Sequence, residues 1–167
     1  IEEAPTIETL PADQAGFVTF GSFNNPVKVN EEVIGLWAEV LKSVPGSRLL
    51  LKYINWYGQE SLHNNVVKKF AACGVDQDRI IFATTPDTLA EHLGRYGEVD
   101  IAVDPFPFNG ATTTFQALWM GVPVVSLAGE TFISRAAGSM LHHAGLGDLT
   151  VDTPEAYVAC ARDLAGD

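Results

Sequence analysis

The sequence predicts an α/β domain, a Rossmann-like, doubly wound parallel sheet with helices on both faces. Three observations carry this. Strand-type and helix-type segments alternate about six times along the chain. Several strand segments are apolar throughout, as expected where helices cover both faces of a sheet. The loops richest in Asn, Pro, Gly and Thr follow the first, third and fourth strands, at the sheet end where ligands bind in this architecture.

Each element has its own signal. Residues 1–16 mix acids, prolines and threonines without period and read as a leader or linker, so the domain spans 17–167. Phe17 to Phe23 is a short apolar strand. Asn30 caps a helix with Glu31 and Glu32 in its first turn, where acids suit the dipole. Val33, Leu36, Trp37, Val40, Leu41 and Val44 share one face of it, and Pro45-Gly46 stops it. Arg48 to Ile54 is the second strand, and a helix over Glu60 to Ala72, ended by Gly74, follows. Arg79 to Ala83 is the third strand. Thr85-Pro86 reads as a cap and first-turn proline of a helix with Leu89, His92, Leu93 and Tyr96 inward.

Val99 to Val103 is the fourth strand. The next helix carries Phe115, Leu118, Trp119 and Val122 as its apolar stripe, up to Gly121 and a fifth strand over Pro123 to Leu127. Ser134 reads as the cap of a helix closed by Gly145. Leu149 to Val151 is a short sixth strand. Thr153-Pro154 starts a last helix with Tyr157, Ala161 and Leu164 inward. No internal repeat is present.

Composition narrows the functions. A chain of 167 residues holds one domain with a core that needs no disulfide or structural metal. Hydrophobic residues at 47% against 19% charged exclude disorder. The net charge of −11 argues against nucleic acid or an anionic membrane as the partner, though one basic residue can still hold a small anion. Residues 105–129 are uncharged, but three prolines, Asn109, Gly110 and three threonines break them into loop, helix and strand. Cys73 and Cys160 are too few for a disulfide framework and read as buried thiols in a reducing compartment. With no signal-like stretch at the start, the expected location is cytoplasmic. The chain begins at Ile1 rather than Met, which predicts an excised or processed piece of a longer parent.

Chemistry concentrates in three loops, 22–28, 84–92 and 104–114, which the topology places at one sheet edge. In the third, Asn109-Gly110-Ala111-Thr112-Thr113-Thr114 runs into a helix. Small residues let a ligand approach the backbone, and the free N–H groups of a first turn bind anions. An ordinary cap followed by threonines is the bland alternative. Gln116 lies one turn on and reads either as a contact to a sugar hydroxyl or as a surface amide. Lys28 suits a phosphate, or is a solvated side chain. Asn24 and Asn25 both suit a turn. His92 sits on an apolar stripe, where a packed histidine is the ordinary outcome. His142 and His143 are adjacent and point apart, His63 has no partner at ligand spacing, and Asp100 and Asp104 do not form a cation pair, so no metal is expected. No Ser-His-Asp grouping, Walker A loop or Gly-x-Gly-x-x-Gly fingerprint occurs.

Two long segments, in register, carry a resemblance. Gly21 to Lys28, Trp37 and Val44 to Lys52 form the first. Asp104-Pro105-Phe106-Pro107-Phe108-Asn109-Gly110-Ala111-Thr112-Thr113-Thr114, running on through Ala117 to Val125, forms the second, with Ser134-Arg135, Gly145-Leu146 and Tyr157 following in order. From about residue 17 onward the chain resembles the C-terminal catalytic lobe of the protein O-GlcNAc transferase family; the SPINDLY proteins of plants, which share this lobe and transfer fucose, are the nearest rivals.

The resemblance implies a GT-B glycosyltransferase of two Rossmann-like lobes that needs no metal and no cofactor. The expected donor is UDP-GlcNAc and the acceptor a Ser or Thr hydroxyl of a protein or peptide. It implies that Lys28 and Asn25 face the donor phosphates, with Lys28 catalytic. Gly110, Ala111, Thr112 and Thr113 hold the diphosphate, His92 lies against the nucleobase, and Gln116 meets the ribose. Gln116 stands where members often have Asp or Glu, Ala111 where some have His, and Leu89 near where animal enzymes have Lys. The N-terminal lobe and TPR repeats of the family are the expected partners within a parent chain. The fragment alone is expected to be inactive. GDP-fucose as donor, a non-catalytic nucleotide-sugar-binding module and a flavodoxin-like regulatory domain are the competing readings; the last would need clustered acids at strand ends, which the sequence lacks.

Overall fold

The computed structural model describes residues 4–6, 9–85 and 87–167. In chain order its elements are α1 (Pro11–Ala15), β1 (Thr19–Ser22), α2 (Glu31–Ser43), β2 (Arg48–Lys52), α3 (Glu60–Ala72), β3 (Ile80–Ala83), α4 (Leu89–Gly94), β4 (Ile101–Val103), α5 (Thr112–Trp119), β5 (Val124–Leu127), α6 (Ala136–His143), β6 (Thr150–Val151) and α7 (Pro154–Leu164). The strands form one sheet in the order β3-β2-β1-β4-β5-β6, and every pairing is parallel. Winding reverses between β1 and β4, which leaves a crevice between the loops that follow them.

Strand alternation divides the core in two. Phe20, Leu49, Leu51, Ile101, Val103, Val125 and Leu127 pack under α2, α3 and α7, around Trp37, Phe70 and Tyr157. Leu50, Ala102 and Val124 face the other way, against Leu93, Ala117 and Leu141 of α4, α5 and α6. Burying one such aliphatic side chain stabilises the fold by about 1.5–3 kcal/mol. The continuous apolar strands are thus the product of a sheet covered twice.

Two local features set the crevice. The Trp37 indole N–H donates to the Tyr157 hydroxyl at 3.3 Å, and that hydroxyl donates to the Asp104 carbonyl at 3.0 Å. Two helices therefore hold the end of β4 in place. At Gly21 of β1, a Cβ would lie 2.5 Å from the Val99 side chain. Only glycine lets β1 pass that close to the segment entering β4.

Helix ends follow their sequence signals in most places. Asn30 accepts from the Val33 N–H at 2.9 Å, and Thr153 from the Ala156 N–H at 3.1 Å. Gly74 and Gly145, both at φ 77°, turn the chain out of α3 and α6 in the left-handed conformation.

The structure corrects several expectations. The helix expected from Thr85-Pro86 starts at Leu89, capped by Thr88, whose hydroxyl accepts from the Glu91 N–H while Glu91 accepts from the Thr88 N–H. Pro86 itself lies outside the described residues. Ser134 is not a helix cap: it closes a single 3-10 turn through a capping box with Thr131, ahead of α6. Leu89 is exposed rather than inward, and both cysteines are half-buried rather than buried.

The largest correction concerns α5. Thr114 and Ala117 are its buried residues, while Phe115 and Trp119 are 51% and 52% exposed and stack on each other at 6.0 Å. The loop pins the first turn at Gly110 and Thr113, so positions 114 and 117 meet the sheet and the larger side chains turn outward. At the chain's start, Asp100 accepts from the Ala12 and Thr19 N–H groups, both at 2.8 Å, and so ties α1 to β1.

Candidate functional site

The three loops meet at one edge of the sheet, over the crevice between β1 and β4. After β1, Asn25 caps a single 3-10 turn, Pro26–Lys28, by accepting from the Val27 N–H at 3.0 Å. Its amide donates to the Tyr53 hydroxyl at 3.3 Å. That turn sends the Lys28 side chain back across the crevice. Its Nζ donates to the Asn109 carbonyl at 2.9 Å and to Asn24 Oδ1 at 3.4 Å, and lies 4.3 Å from the centroid of the Phe108 ring. Thr113 Oγ1 donates to the same Asn24 Oδ1 at 3.0 Å. Asn24, buried, is therefore the asparagine that joins Lys28 to α5; Asn25 shapes the turn instead.

Lys28 is half-buried rather than a solvated side chain. Burial lowers its pKa, and the nearby Asp104 carboxylate works against that shift. Asp104 is buried at the end of β4. It accepts from the Gly110 N–H at 2.7 Å and the Ser126 hydroxyl at 2.8 Å. Loss of solvation nevertheless pushes its pKa up to about 7. A Cβ on Gly110 would lie 2.6, 2.7 and 2.9 Å from Thr114 Oγ1, Thr113 Oγ1 and Asp104 Oδ1. The missing side chain is what allows Asp104 and both threonines to close around this loop.

The start of α5 is open. Ala111 precedes it without a side-chain cap, and the N–H groups of residues 111–114 have no acceptor among the described residues. An uncapped helix start with a lysine beside it offers the kind of donors that an anion site uses. Lys28 has three donor hydrogens and spends two on Asn109 and Asn24, which leaves one for a ligand.

The second half of the site lies toward β2. His92, half-buried on α4, has Nε2 at 3.1 Å from Gln116 Oε1 and Nδ1 at 2.9 Å from Lys52 Nζ. Lys52 ends β2 with its side chain only 3% exposed, 3.1 Å from Asp87 Oδ2 in an ion pair off hydrogen-bond alignment. Arg95 approaches the same oxygen at 3.6 Å. Phe23 packs between the halves, 5.8 Å from the His92 ring and 4.5 Å from Tyr96. The Tyr96 hydroxyl donates to the Thr113 carbonyl at 3.2 Å and so ties the segment after α4 to the first turn of α5. His92 has a lowered pKa, first through burial and then through the Lys52 charge, with Gln116 and Asp87 opposing.

The structure thus brings together Lys28, Gly110, Thr112 and Thr113 at one end, and His92 with Gln116 at the other. Ala111 lies at the start of α5 between them. The sequence shows Asn24 only as a turn former and Asp104 only as an unpaired acid, and it gives Lys52 and Asp87 no role. A lysine closing an otherwise apolar strand, Leu49-Leu50-Leu51-Lys52, was the one available signal. No three His, Cys, Asp or Glu side chains lie together as metal ligands among the described residues. None of the helices there is long and apolar enough to cross a membrane.

Comparison with known proteins bears on this geometry. The model of glycosyl transferase family 41 matches residues 7–167. A barley (Hordeum vulgare) protein named "Probable UDP-N-acetylglucosamine--peptide N-acetylglucosaminyltransferase SPINDLY" is 36% identical over 165 residues, 99% of this chain and 17% of the relative. The Caenorhabditis elegans UDP-N-acetylglucosamine--peptide N-acetylglucosaminyltransferase is 32% identical over 158 residues, 95% of this chain and 13% of its own. Among solved structures, a point mutant of the Thermobaculum terrenum O-GlcNAc transferase superposes with a TM-score of 0.89 at 34% identity, over 99% of this chain and 32% of that one. This chain spans under a fifth of the length of these curated relatives.

Proposed function

This chain belongs to glycosyl transferase family 41, and from that premise we propose that it is the donor-binding lobe of a protein O-GlcNAc transferase. The observation that supports this most is the gathering of Lys28, Asn24 and Thr113 at the uncapped start of α5, over the β1/β4 crevice. In this reading the diphosphate of UDP-GlcNAc lies on the N–H groups of residues 111–113, with Lys28 beside it. The uracil lies against His92, and the Gln116 amide meets the ribose.

The reaction is attack by a Ser or Thr hydroxyl on the anomeric carbon. The bond from that carbon to the β-phosphate oxygen breaks, and UDP leaves with the electron pair. Lys28 and the helix start meet the growing charge, already aimed before the bond breaks, and such donors usually supply the largest share of the barrier's lowering. Burial raises the Asp104 pKa to about 7, so near neutral pH the carboxyl behind the site carries only part of a negative charge. Any base for the acceptor hydroxyl comes from outside these residues. The partners in this reading are the N-terminal catalytic lobe, TPR repeats of a parent chain and an acceptor protein, in the cytoplasm. The lobe alone binds donor and transfers nothing.

Calorimetry with UDP, UDP-GlcNAc, GDP and GDP-fucose tests the reading. The expected result is binding of UDP and UDP-GlcNAc. Binding of GDP without UDP reassigns the lobe to fucose transfer, and no nucleotide binding at all makes it a non-catalytic module.

A further inference from the structure

Lys52 and Asp87 form a buried ion pair that the reaction above does not use. Burying two charges is expensive unless the pair does something that an apolar pair cannot. Lys52 Nζ points at His92 Nδ1, 2.9 Å away. An ammonium only donates, so Nδ1 must accept and carries no proton. The ring's proton then sits on Nε2, which faces the Gln116 carbonyl oxygen at 3.1 Å. That oxygen only accepts. The sequence Asp87–Lys52–His92–Gln116 therefore has one consistent direction of donation, from the ammonium through the imidazole to the amide. It turns the Gln116 NH2 away from His92.

We propose that Lys52, anchored by Asp87, is a positioning residue that locks His92 as the neutral Nε2–H tautomer and thereby presents the Gln116 amide as a donor to the sugar-nucleotide. The use of this lock for donor binding rests on the reading of the previous subsection; the lock itself does not. Protonating His92 would place an N–H on Nδ1 against the Lys52 ammonium, two donors face to face. Lys52 comes from the end of β2, Asp87 from the segment before α4, and Gln116 from α5. Tyr96 and Phe23 are uncharged neighbours, and Arg95 pairs with Glu98 at 2.9 Å and approaches Asp87 at 3.6 Å. Of the charged groups, Lys52 opposes a positive ring and Asp87 favours one. Removing Lys52 leaves the carboxylate to act alone.

The test is long-range 1H–15N NMR of the imidazoles in the unliganded chain, with Lys52→Met as the variant. The double variant Lys52→Met/Asp87→Asn accompanies it, to separate the loss of the lock from a buried unpaired acid. In the parent chain His92 is expected to show a protonated Nε2 and a bare Nδ1, and to keep that tautomer as pH falls through the range where an ordinary histidine titrates. In Lys52→Met it is expected to titrate at a higher pH than in the parent, because burial still lowers it but the ammonium no longer does. In the double variant it is expected to lose the single tautomer without the upward shift. A parent His92 with its proton on Nδ1, or one that titrates like a free histidine, overturns the lock, as does a Lys52→Met spectrum identical to the parent.

A second readout is UDP-GlcNAc affinity, since its diphosphate does not titrate in this range. It is expected to hold steady over the same interval in the parent. In Lys52→Met it is expected to fall by up to about tenfold, the loss of neutral imidazole one unit below its pKa. If the parent shows the locked tautomer but binds no UDP-GlcNAc, the donor reading fails and the lock stands.

Discussion

The two ends of the site are built from different materials. The end proposed for the phosphates is mostly backbone: an uncapped helix start, a glycine with no room for a Cβ, and one lysine. The end proposed for the base is made of side chains, a chain of buried groups from β2, the segment before α4, and α5. The two also respond to pH in opposite senses. Asp104 has its folded pKa raised from 3.8 to about 7, so its contribution to stability is full below the lower value and is lost as pH rises toward 7. His92 has its folded pKa lowered from 6.5, so its contribution is full above that value and is lost as pH falls below it.

The sharpest test of the phosphate end is Lys28→Ala in an enzyme with both lobes. Its turnover should fall by about 100- to 1000-fold, the loss typical of one preorganised donor at a developing anion, or about 2.7–4 kcal/mol. Donor affinity should fall less, because the contact strengthens as UDP departs. Steady-state kinetics separate the two, and parental turnover would reduce Lys28 to a packing role.

The next effect is on pH. Asp104→Asn keeps an acceptor for the Gly110 N–H and removes the titration. Between about pH 5 and 8 the parent should lose roughly 2–3 kcal/mol relative to this variant, as expected for a folded pKa near 7. Denaturant melts across that range measure it. A parallel pH dependence in both chains would mean that Asp104 is not the neutral acid described.

Gly110→Ala comes third. Its Cβ would meet two hydroxyl oxygens and a carboxylate oxygen below 3 Å. The expected loss is about 1–3 kcal/mol of stability, the usual result of overpacking. It should come with loss of UDP binding by calorimetry, because the loop that carries the free N–H groups must shift.

The smallest effect is expected away from both ends. Trp119→Ser on the exposed face of α5 should change stability by about 0.5 kcal/mol or less. A larger loss in a thermal melt would show that the stacked Phe115 and Trp119 contribute to the fold.

The same division explains what could be read from the sequence. The sheet and most helices follow from local signals: apolar runs, Asn30 and Thr153 as caps, Gly74 and Gly145 as stops. The uncapped start of α5 is legible for the same reason, since Asn-Gly-Ala-Thr-Thr-Thr before a helix is a local pattern. At the other end His92 and Gln116 stand out in the sequence, but their link to Lys52 and Asp87 does not, because the four come from separate parts of the chain and meet only in the folded sheet. The outward turn of Phe115 and Trp119 was misread from helical spacing alone. Periodicity found a stripe, but the first turn's attachment at Gly110 and Thr113 decides which face of α5 meets the sheet. Asn24 and Asn25 were equivalent as turn formers, and only the path of the backbone assigns one to Lys28 and the other to Tyr53.

The central claim is that one nucleotide spans both ends. The most direct measurement is a UDP titration of the 15N-labelled chain, following the backbone amides together with the His92 imidazole. The account predicts that the amides of Asn24, Gly110, Thr112 and Thr113 and the His92 ring shift together and saturate at one concentration. Shifts confined to one end, or centred on the far side of the sheet between α2 and α7, would contradict it.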